Sequence, residues 1–353
     1  MLKINSLKNH IDKKWLYILT QYLFIGTVLV IPTILPPPFA AEFTGKANYT
    51  SYPAMQQLIE RMVQKGFDRN YLQQIFSRVE RDERILQLVS SPAEAKPWHK
   101  YRPIFITEDR INSGVNFWKR HEKVISAASA QYGVDPEYIV AIIGVETFYG
   151  RNTGKHKVLR SLATLAMDFP QREKFYTSEL EHYLELIREE GITDPNILSG
   201  SYAGAMGLGQ FISSSYRNYA VDFNRDGHKD LWHPEDAIGS VANYFSRHGW
   251  KSNGNVAVPA RILGNLYAKI VNTKATKPEH TLQILQQNGV QPLGNFSSDR
   301  VSLLQLQGLQ GYEYWVTGDN FYVITRYNHS PKYAMAIFQL AWEIKRRKSN
   351  AVK

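Results

Sequence analysis

The stretch from Tyr132 to Gly150 constrains this chain more than any other. It reads Tyr-Gly-Val-Asp-Pro-Glu-Tyr-Ile-Val-Ala-Ile-Ile-Gly-Val-Glu-Thr-Phe-Tyr-Gly. Asp135 before Pro136 predicts a helix start: a capping side chain, then a residue whose fixed φ suits the first turn. Gly150 predicts the stop. Between them Ile139, Ile142, Ile143 and Glu146 fall at i, i+3, i+4 and i+7, one face of a helix. An apolar stripe must be buried, and the carboxyl at its end is carried inward with it, about one turn before the helix stops. Burial disfavours the charged form of a carboxyl group and raises its pKa. A general acid near neutral pH needs that property. The same spacing also accommodates a surface glutamate, or one neutralised by Arg151 or Arg160.

The whole chain has 353 residues, enough for two or three domains and a sizeable core. Hydrophobic residues make up 43% and charged residues 21%, a globular rather than a disordered balance. The formal net charge is +10. Lys3, Lys8, Lys13 and Lys14 against Asp12 place three of those charges near the start, and an excess of about seven remains for the body. Such a surface predicts an anionic partner: nucleic acid, anionic lipid or an acidic cell-wall polymer. None of the RRM, KH, zinc-finger or basic-zipper signatures is present, so no nucleic-acid partner is expected. The absence of cysteine excludes disulfides, thiolate metal sites, a cysteine nucleophile and a lipidated N-terminal cysteine.

After the basic start, Trp15 to Leu35 is apolar apart from Thr20, Gln21 and Thr33, and Pro36-Pro37-Pro38-Phe39-Ala40-Ala41 follows. Residues 1–41 read as an export signal or, because the run is close to the length of a membrane span, an uncleaved N-terminal anchor through residues 15–35. Cleavage after Ala41 or Ala40 would leave Phe39 or Pro38 where a small residue is preferred. Either way the body leaves the cytoplasm, and a periplasmic location is expected.

Residues 42–130 read as a helical domain. Met55, Leu58, Ile59 and Met62 are spaced for one helix face, and Tyr71, Leu72, Ile75, Phe76 and Val79 for another. Pro97 and Pro103 bracket an expected loop, and Val115 to Tyr132 reads as one helix. Within 131–250, Arg160 to Met167 and Phe175 to Glu190 read as further helices. The Gly200–Phe211 stretch carries four glycines, a tight turn or a place where backbone approaches a ligand. Residues 251–326 read as a small β-rich insertion with strands at Val301–Leu306, Tyr312–Val316 and Phe321–Thr325. Tyr333 to Arg346 closes the chain as a helix within 327–353, and Lys345-Arg346-Arg347-Lys348 as a solvated basic tail.

Asp222-Phe223-Asn224-Arg225-Asp226-Gly227-His228-Lys229-Asp230 matches the first half of an EF-hand loop. Oxygen donors stand at positions 1, 3 and 5, glycine at 6 and aspartate at 9. Position 12 is His233 rather than the usual glutamate, with Glu235 and Asp236 just beyond. The alternative is an Asx-rich turn, which Asp, Asn and Gly favour for local backbone reasons.

Gly144-Val145-Glu146-Thr147, the loop Ser201 to Phe211, Ala220-Val221-Asp222-Phe223 and Ala237-Ile238-Gly239-Ser240-Val241-Ala242-Asn243-Tyr244-Phe245 together resemble the B-type, membrane-bound lytic murein transglycosylases. Arg326-Tyr327-Asn328-His329-Ser330 and Tyr333-Ala334-Met335-Ala336 continue the likeness, which covers roughly residues 55 to 345. It implies a mainly α (α+β) fold: a goose-lysozyme-like helical core, an additional helical domain and a small β-rich domain, with the C-terminal helix returning to the cleft.

The resemblance also implies the chemistry. Members cleave the β-1,4 bond between N-acetylmuramic acid and N-acetylglucosamine in peptidoglycan without water, leaving a 1,6-anhydro end. By motif, Glu146 is the single acid and then base. Tyr101, Tyr176, Ser201, Tyr202, Gln210, Tyr244, Tyr327, Asn328 and Tyr333 are the implied saccharide contacts. Asp222, Asn224, Asp226, the His228 carbonyl and Asp236 are the implied ligands of a structural Ca²⁺, with no cofactor for catalysis. Partners are peptidoglycan glycan strands, with other cell-wall proteins as candidates. A hydrolytic muramidase using the same Glu146, and a catalytically inactive calcium-dependent wall-binding protein, are the rival readings. The chain departs from the family in lacking the lipidated cysteine that often tethers its members.

Overall fold

The structure, a computed structural model, describes residues 49–90 and 96–350. The expected export or anchor segment lies outside the described residues. Among them, no helix is long and apolar enough to cross a membrane.

Helices α1 (Pro53–Gln64), α2 (Arg69–Ser77) and α3 (Glu83–Val89) come first. α1 buries Met55, Leu58, Ile59 and Met62, the stripe its spacing predicts. Asp68 caps α2 by accepting from the Tyr71 amide at 2.7 Å. The segment expected to be a loop is α4 (Trp98–Phe105), with Pro103 inside it. Proline removes one helical hydrogen bond, but Trp98, Tyr101 and Phe105 lie at i, i+3 and i+7 and are all buried. Burial of three large rings decides the local conformation against the proline. The single helix expected over 115–132 is two, α5 (Glu108–Arg120) and α6 (Glu122–Tyr132), divided at His121.

α7 (Pro136–Thr147) carries Glu146. It is not amphipathic: every residue from Ile139 to Thr147 is buried, so the expected stripe is part of a helix enclosed on all sides. Its neighbours are α5, α6 and two later helices, α11 (Pro234–Arg247) and α14 (Pro331–Asn350). Asp135 does not cap the helix with its side chain. It accepts instead from Trp250 Nε1 at 2.9 Å and from the Asn253 amide at 3.2 Å.

A short strand β1 (His156–Lys157) leads into α8 (Val158–Asp168) and α9 (Glu173–Glu189), which pack on each other and on α3 and α1 respectively. Strand β2 (Ser199–Gly200) pairs with β1 and opens the glycine-rich loop. α10 (Ser213–Tyr219) and α11 (Pro234–Arg247) flank the acidic loop.

Strands β3 (Ala257–Ile262), β4 (Val271–Asn272), β5 (Val290–Pro292), β6 (Ser302–Gln307) and β7 (Tyr312–Thr317), with helix α12 (Leu282–Gln287), form the β-rich part. The sheet order is β4-β6-β7-β3-β5, antiparallel except for β4 with β6. One face encloses a small core of Leu285, Val290, Phe296, Val301, Leu303 and Val316. The other, through Leu304, Leu306 and Trp315, meets the main core.

The third expected strand, Phe321–Thr325, is helical: α13 (Asp319–Tyr327). Its β-branched composition suits a strand locally, but packing against α14 (Pro331–Asn350) overrides that preference. Asn320 fixes its start, exchanging hydrogen bonds with the Lys251 backbone at 2.8 and 2.7 Å. The basic segment 345–348 is the end of α14 and not a solvated tail. Lys345 reaches Glu137 at 2.6 Å, Arg346 reaches Glu343 at 2.7 Å, Arg347 reaches Glu108, and Lys348 reaches Glu122 at 2.8 Å. Cations in the last turn also suit the helix dipole.

Candidate active site

The sequence around Glu146 is held by what ends its helix. The Thr147 hydroxyl donates to the Leu208 carbonyl at 3.0 Å and accepts from the Gly150 amide at 3.0 Å. Phe148, Tyr149 and Gly150 follow in the left-handed region, with φ of 53°, 60° and 88°. The helix therefore stops at Phe148, earlier than the glycine predicted. Two aromatic residues at positive φ are strained. Packing offsets the strain. The Tyr149 ring lies where a Cβ on Gly144 of α7 would stand, and its hydroxyl with the Ile344 side chain lies where a Cβ on Gly114 of α5 would stand, so a side chain at either position would displace them. The Tyr149 hydroxyl donates to the Arg110 carbonyl at 3.0 Å, and the Arg110 guanidinium lies 4.7 Å over the Phe148 ring.

Glu146 is 1% exposed. The Tyr333 hydroxyl, from the first turn of α14, donates to its Oε1 at 2.5 Å. Tyr333 and Tyr327 both hold their protons well above the ordinary tyrosine range, through burial first and the negative charge of Glu146 second. Tyr101 adds a smaller push on Tyr333 in the same direction. Arg151 turns to Asp109 at 3.6 Å, and Arg160 to Glu80 and Asp82 at 3.7 and 4.0 Å. They are not the cations that would neutralise Glu146. Asp168, the nearest downstream acid, accepts from Tyr49 at 2.7 Å and lies 3.8 Å from Arg81.

The glycine-rich loop folds against this group. Ser201 Oγ accepts from the amides of Ala203 and Ala205 at 3.2 and 3.0 Å, and Met206 and Phe211 exchange backbone bonds at 2.9 and 3.0 Å. Gln210 stands at φ 51°, and its Nε2 donates to the Thr153 and Gly207 carbonyls at 3.1 and 2.9 Å. Tyr327 donates to the Gly209 carbonyl at 2.5 Å, and Leu208 is tied to Thr147. The loop, α7, α13 and α14 thus meet at one place.

The remaining expected contacts are distributed around it. Tyr244 donates to the Arg326 carbonyl at 2.6 Å and stacks on His248 at 4.0 Å between ring centres. Asn328 Oδ1 accepts from the Ser330 amide at 3.1 Å. Tyr101 lies between Trp98 and Phe105, with the Lys332 ammonium 5.9 Å from its ring centre. Tyr202 is buried. Tyr176 sits in a second aromatic group with Phe169, Phe175 and Arg172. Sequence reading missed Thr147, Tyr149 and Arg110. Thr147 and Tyr149 stood within the opening motif, but nothing local marks Arg110 as a partner of Phe148.

The acidic loop is a different construction. Asp222 Oδ1 and Asn224 Oδ1 both accept from the Asp226 amide, at 3.1 and 3.0 Å, so their oxygens converge on one point. Asp222 Oδ2 accepts from Gly227 at 2.9 Å, and Asn224 Nδ2 donates to Asp226 Oδ2 at 2.8 Å. Gly227 has φ +95°, the sharp turn expected at the sixth position. Asp236 is fully buried on α11. Its Oδ1 accepts from the Phe223 and Asn224 amides at 2.8 and 3.2 Å, and its Oδ2 from Asp230 at 2.8 Å. Among the described residues no three His, Asp or Glu side chains gather into a metal-ligating cluster. The oxygen donors of Asp222, Asn224 and Asp226, at alternate positions of one tight loop, are nonetheless of the kind a hard cation takes.

The family profile of the transglycosylase SLT domain matches residues 50–342. Membrane-bound lytic murein transglycosylase B of Escherichia coli (strain K12) is 46% identical over 307 residues, 83% of each chain. The solved Escherichia coli lytic transglycosylase Slt35 in complex with calcium superposes with a TM-score of 0.78 at 44% identity, covering 86% of this chain and 96% of that one. SltB3 of Pseudomonas aeruginosa in complex with NAG-NAM-pentapeptide gives 0.71 at 30% identity, covering 82% and 78%. With its lysozyme-like helical core, its small sheet and a glutamate enclosed by tyrosines at their meeting point, the chain belongs to the B-type lytic murein transglycosylases.

Proposed function

We propose that Glu146 is the single acid and base of a non-hydrolytic cleavage of the β-1,4 bond between N-acetylmuramic acid and N-acetylglucosamine. The observation that carries this reading is the enclosed carboxyl itself: 1% exposed and hydrogen-bonded by Tyr333 at 2.5 Å. In the first step Glu146 gives its proton to the leaving glycosidic oxygen. In the second, the resulting carboxylate takes the proton of the muramoyl C6 hydroxyl as that oxygen attacks C1. One residue serves both steps because an acid that has lost its proton is a base. The product is a 1,6-anhydromuramoyl end, and the 2-acetamido oxygen of the substrate can steady the oxocarbenium-like centre between the steps. Tyr333 keeps the carboxyl in one rotamer and favours its charged form for the second step.

Tyr101, Tyr176, Ser201, Tyr202, Gln210, Tyr244, Tyr327, Asn328 and Tyr333 are proposed to form the saccharide site. Several do so by shaping backbone: the hydroxyls of Tyr244 and Tyr327 and the Gln210 amide already hold carbonyls of the loop and of α13. A tyrosine face remains suited to a sugar ring. The muropeptide bound by the Pseudomonas relative supports this assignment. The chain is proposed to act in the periplasm, exported by the signal of residues 1–41 or anchored through residues 15–35.

Asp222, Asn224, Asp226, the His228 carbonyl and Asp236 would hold Ca²⁺, and the calcium complex of the Escherichia coli relative supports this. The ion would supply charge neutralisation within the loop, apart from the reaction. A ligand bound only by the folded state stabilises it by about 2.7 kcal/mol at a hundredfold excess over Kd. Chelation should therefore lower the melting temperature without stopping turnover while the protein stays folded.

Digestion of purified sacculi, with mass spectrometry of the released muropeptides, tests the reaction. Anhydro products, each lighter by one water, are expected. Reducing-end products alone would make the enzyme a hydrolytic muramidase and overturn the second step.

A further inference from the structure

The end of the sheet bears an exposed apolar cluster that the proposed reaction does not use. Leu309 is 80% exposed, Tyr312 60%, Leu263 58% and Leu266 52%. The pairing register gathers them. Gln307 of β6 faces Tyr312 of β7, so Leu309 lies in the turn between these strands. Val258 and Ala260 of β3 face Val316 and Tyr314 of β7, and continuing this register brings Leu263 level with the same turn. Leu266 follows Leu263 after a bend at Gly264 and Asn265. Four large side chains thus crown one end of the sheet, where scattered single residues would need no explanation.

The charge around the crown is one-sided. Residues 257–278 contain Arg261, Lys269, Lys274 and Lys277 and no acid. Arg261 and Lys274 lie on segments running toward the crown, Arg261 paired with Gln291 on β5 and Lys274 two residues beyond β4. Both are exposed, and neither forms an ion pair or side-chain hydrogen bond among the described residues. Glu313, the acid next to Tyr312 on β7, accepts from Trp98 Nε1 at 3.2 Å. Exposed leucines, a tyrosine and unpaired cations toward one end of the sheet are the composition of a surface that sits in the headgroup region of an anionic bilayer. Thirteen residues separate Leu35 from Tyr49, a span of at most about 50 Å. A chain held through 15–35 would keep the body within reach of the same bilayer.

We infer that the β6–β7 end of the sheet, Leu263, Leu266, Leu309 and Tyr312 with Arg261 and Lys274, docks on an anionic lipid surface. The contact orients the body on the membrane and is independent of the catalytic assignment. The chain has no cysteine, so a single introduced one can be labelled cleanly. The full-length chain is prepared as Gln310→Cys, with a polarity-sensitive fluorophore in the β6–β7 turn, and as Gln57→Cys on α1 for comparison. Each is reconstituted in vesicles of phosphatidylglycerol with phosphatidylethanolamine, and in vesicles of phosphatidylcholine. The label at 310 should brighten in anionic vesicles, more than the label at 57 and more than in phosphatidylcholine, and the rise should fall with added salt. Leu263→Ser with Leu309→Ser should cut it by roughly threefold or more. Arg261→Gln with Lys274→Gln should remove its lipid-charge dependence and leave the leucines untouched, so the two pairs check each other if one folds poorly. Equal responses at 310 and 57, or no dependence on lipid charge, would overturn the inference. So would a response to purified sacculi in place of vesicles, which would make the crown a wall-polymer contact.

Discussion

Two carboxylate sites in this molecule are built in opposite ways. Glu146 is bonded by a tyrosine 187 residues away, on another helix, inside the core. Asp222, Asn224 and Asp226 are held by amides two to five residues away, on a partly exposed loop. Long-range packing makes the first; the local chain makes the second. The difference sets what each can do. A carboxyl enclosed by rings from several helices exchanges little with water and suits proton transfer to a bound substrate. Carboxylates bound to their own loop keep outward lone pairs and suit a hard cation. Asp236 stands between the two cases: buried on a helix, yet spent on loop amides.

Four changes break or sharpen this contrast. The largest effect is expected from Glu146→Gln, which keeps the shape and removes the proton. Cleavage of sacculi should fall by at least 10²–10⁴-fold, with the melting temperature nearly unchanged. A folded variant releasing anhydromuropeptides at the parent rate would dissolve the distinction. Asp236→Ala should act on stability instead. It strands three backbone N–H groups, at a cost of about 3 kcal/mol measured by denaturant unfolding. At temperatures where the variant stays folded, its turnover should be close to that of the parent.

Tyr333→Phe should produce a smaller, diagnostic change. The hydroxyl donates to Glu146 and so favours the carboxylate. Without it the carboxyl holds its proton to higher pH, and the alkaline limb of the rate profile should move upward. A downward move would mean that Tyr333 acts other than by stabilising the charged form. Asp226→Ala should do least in calcium-free buffer, because the side chain is exposed: a shift in melting temperature of no more than about 2 °C. Added Ca²⁺ should then raise the melting temperature of the parent but not of the variant. A variant that still responds would place the cation elsewhere.

What could be read from the sequence follows the same division. The α1 stripe, helix α9, strands β6 and β7 and the alternating donors of the Asp222 loop are patterns within a few residues, and the sequence alone determined them. It also singled out Glu146 as a carboxyl on an apolar helix. It could not supply Tyr333 as its partner, Arg110 over Phe148, or Tyr149 between Gly114 and Gly144. Only the tertiary structure decided that Pro103 lies within a helix, that Phe321–Thr325 is helical, and that Lys345–Lys348 pairs with three other helix segments. The physical reason is one of magnitude. Local preferences among ordinary residues differ by less than about 1 kcal/mol each. Burying one large apolar side chain is worth about 1.5–3 kcal/mol. Where distant elements bury several side chains of a segment at once, their packing decides its conformation.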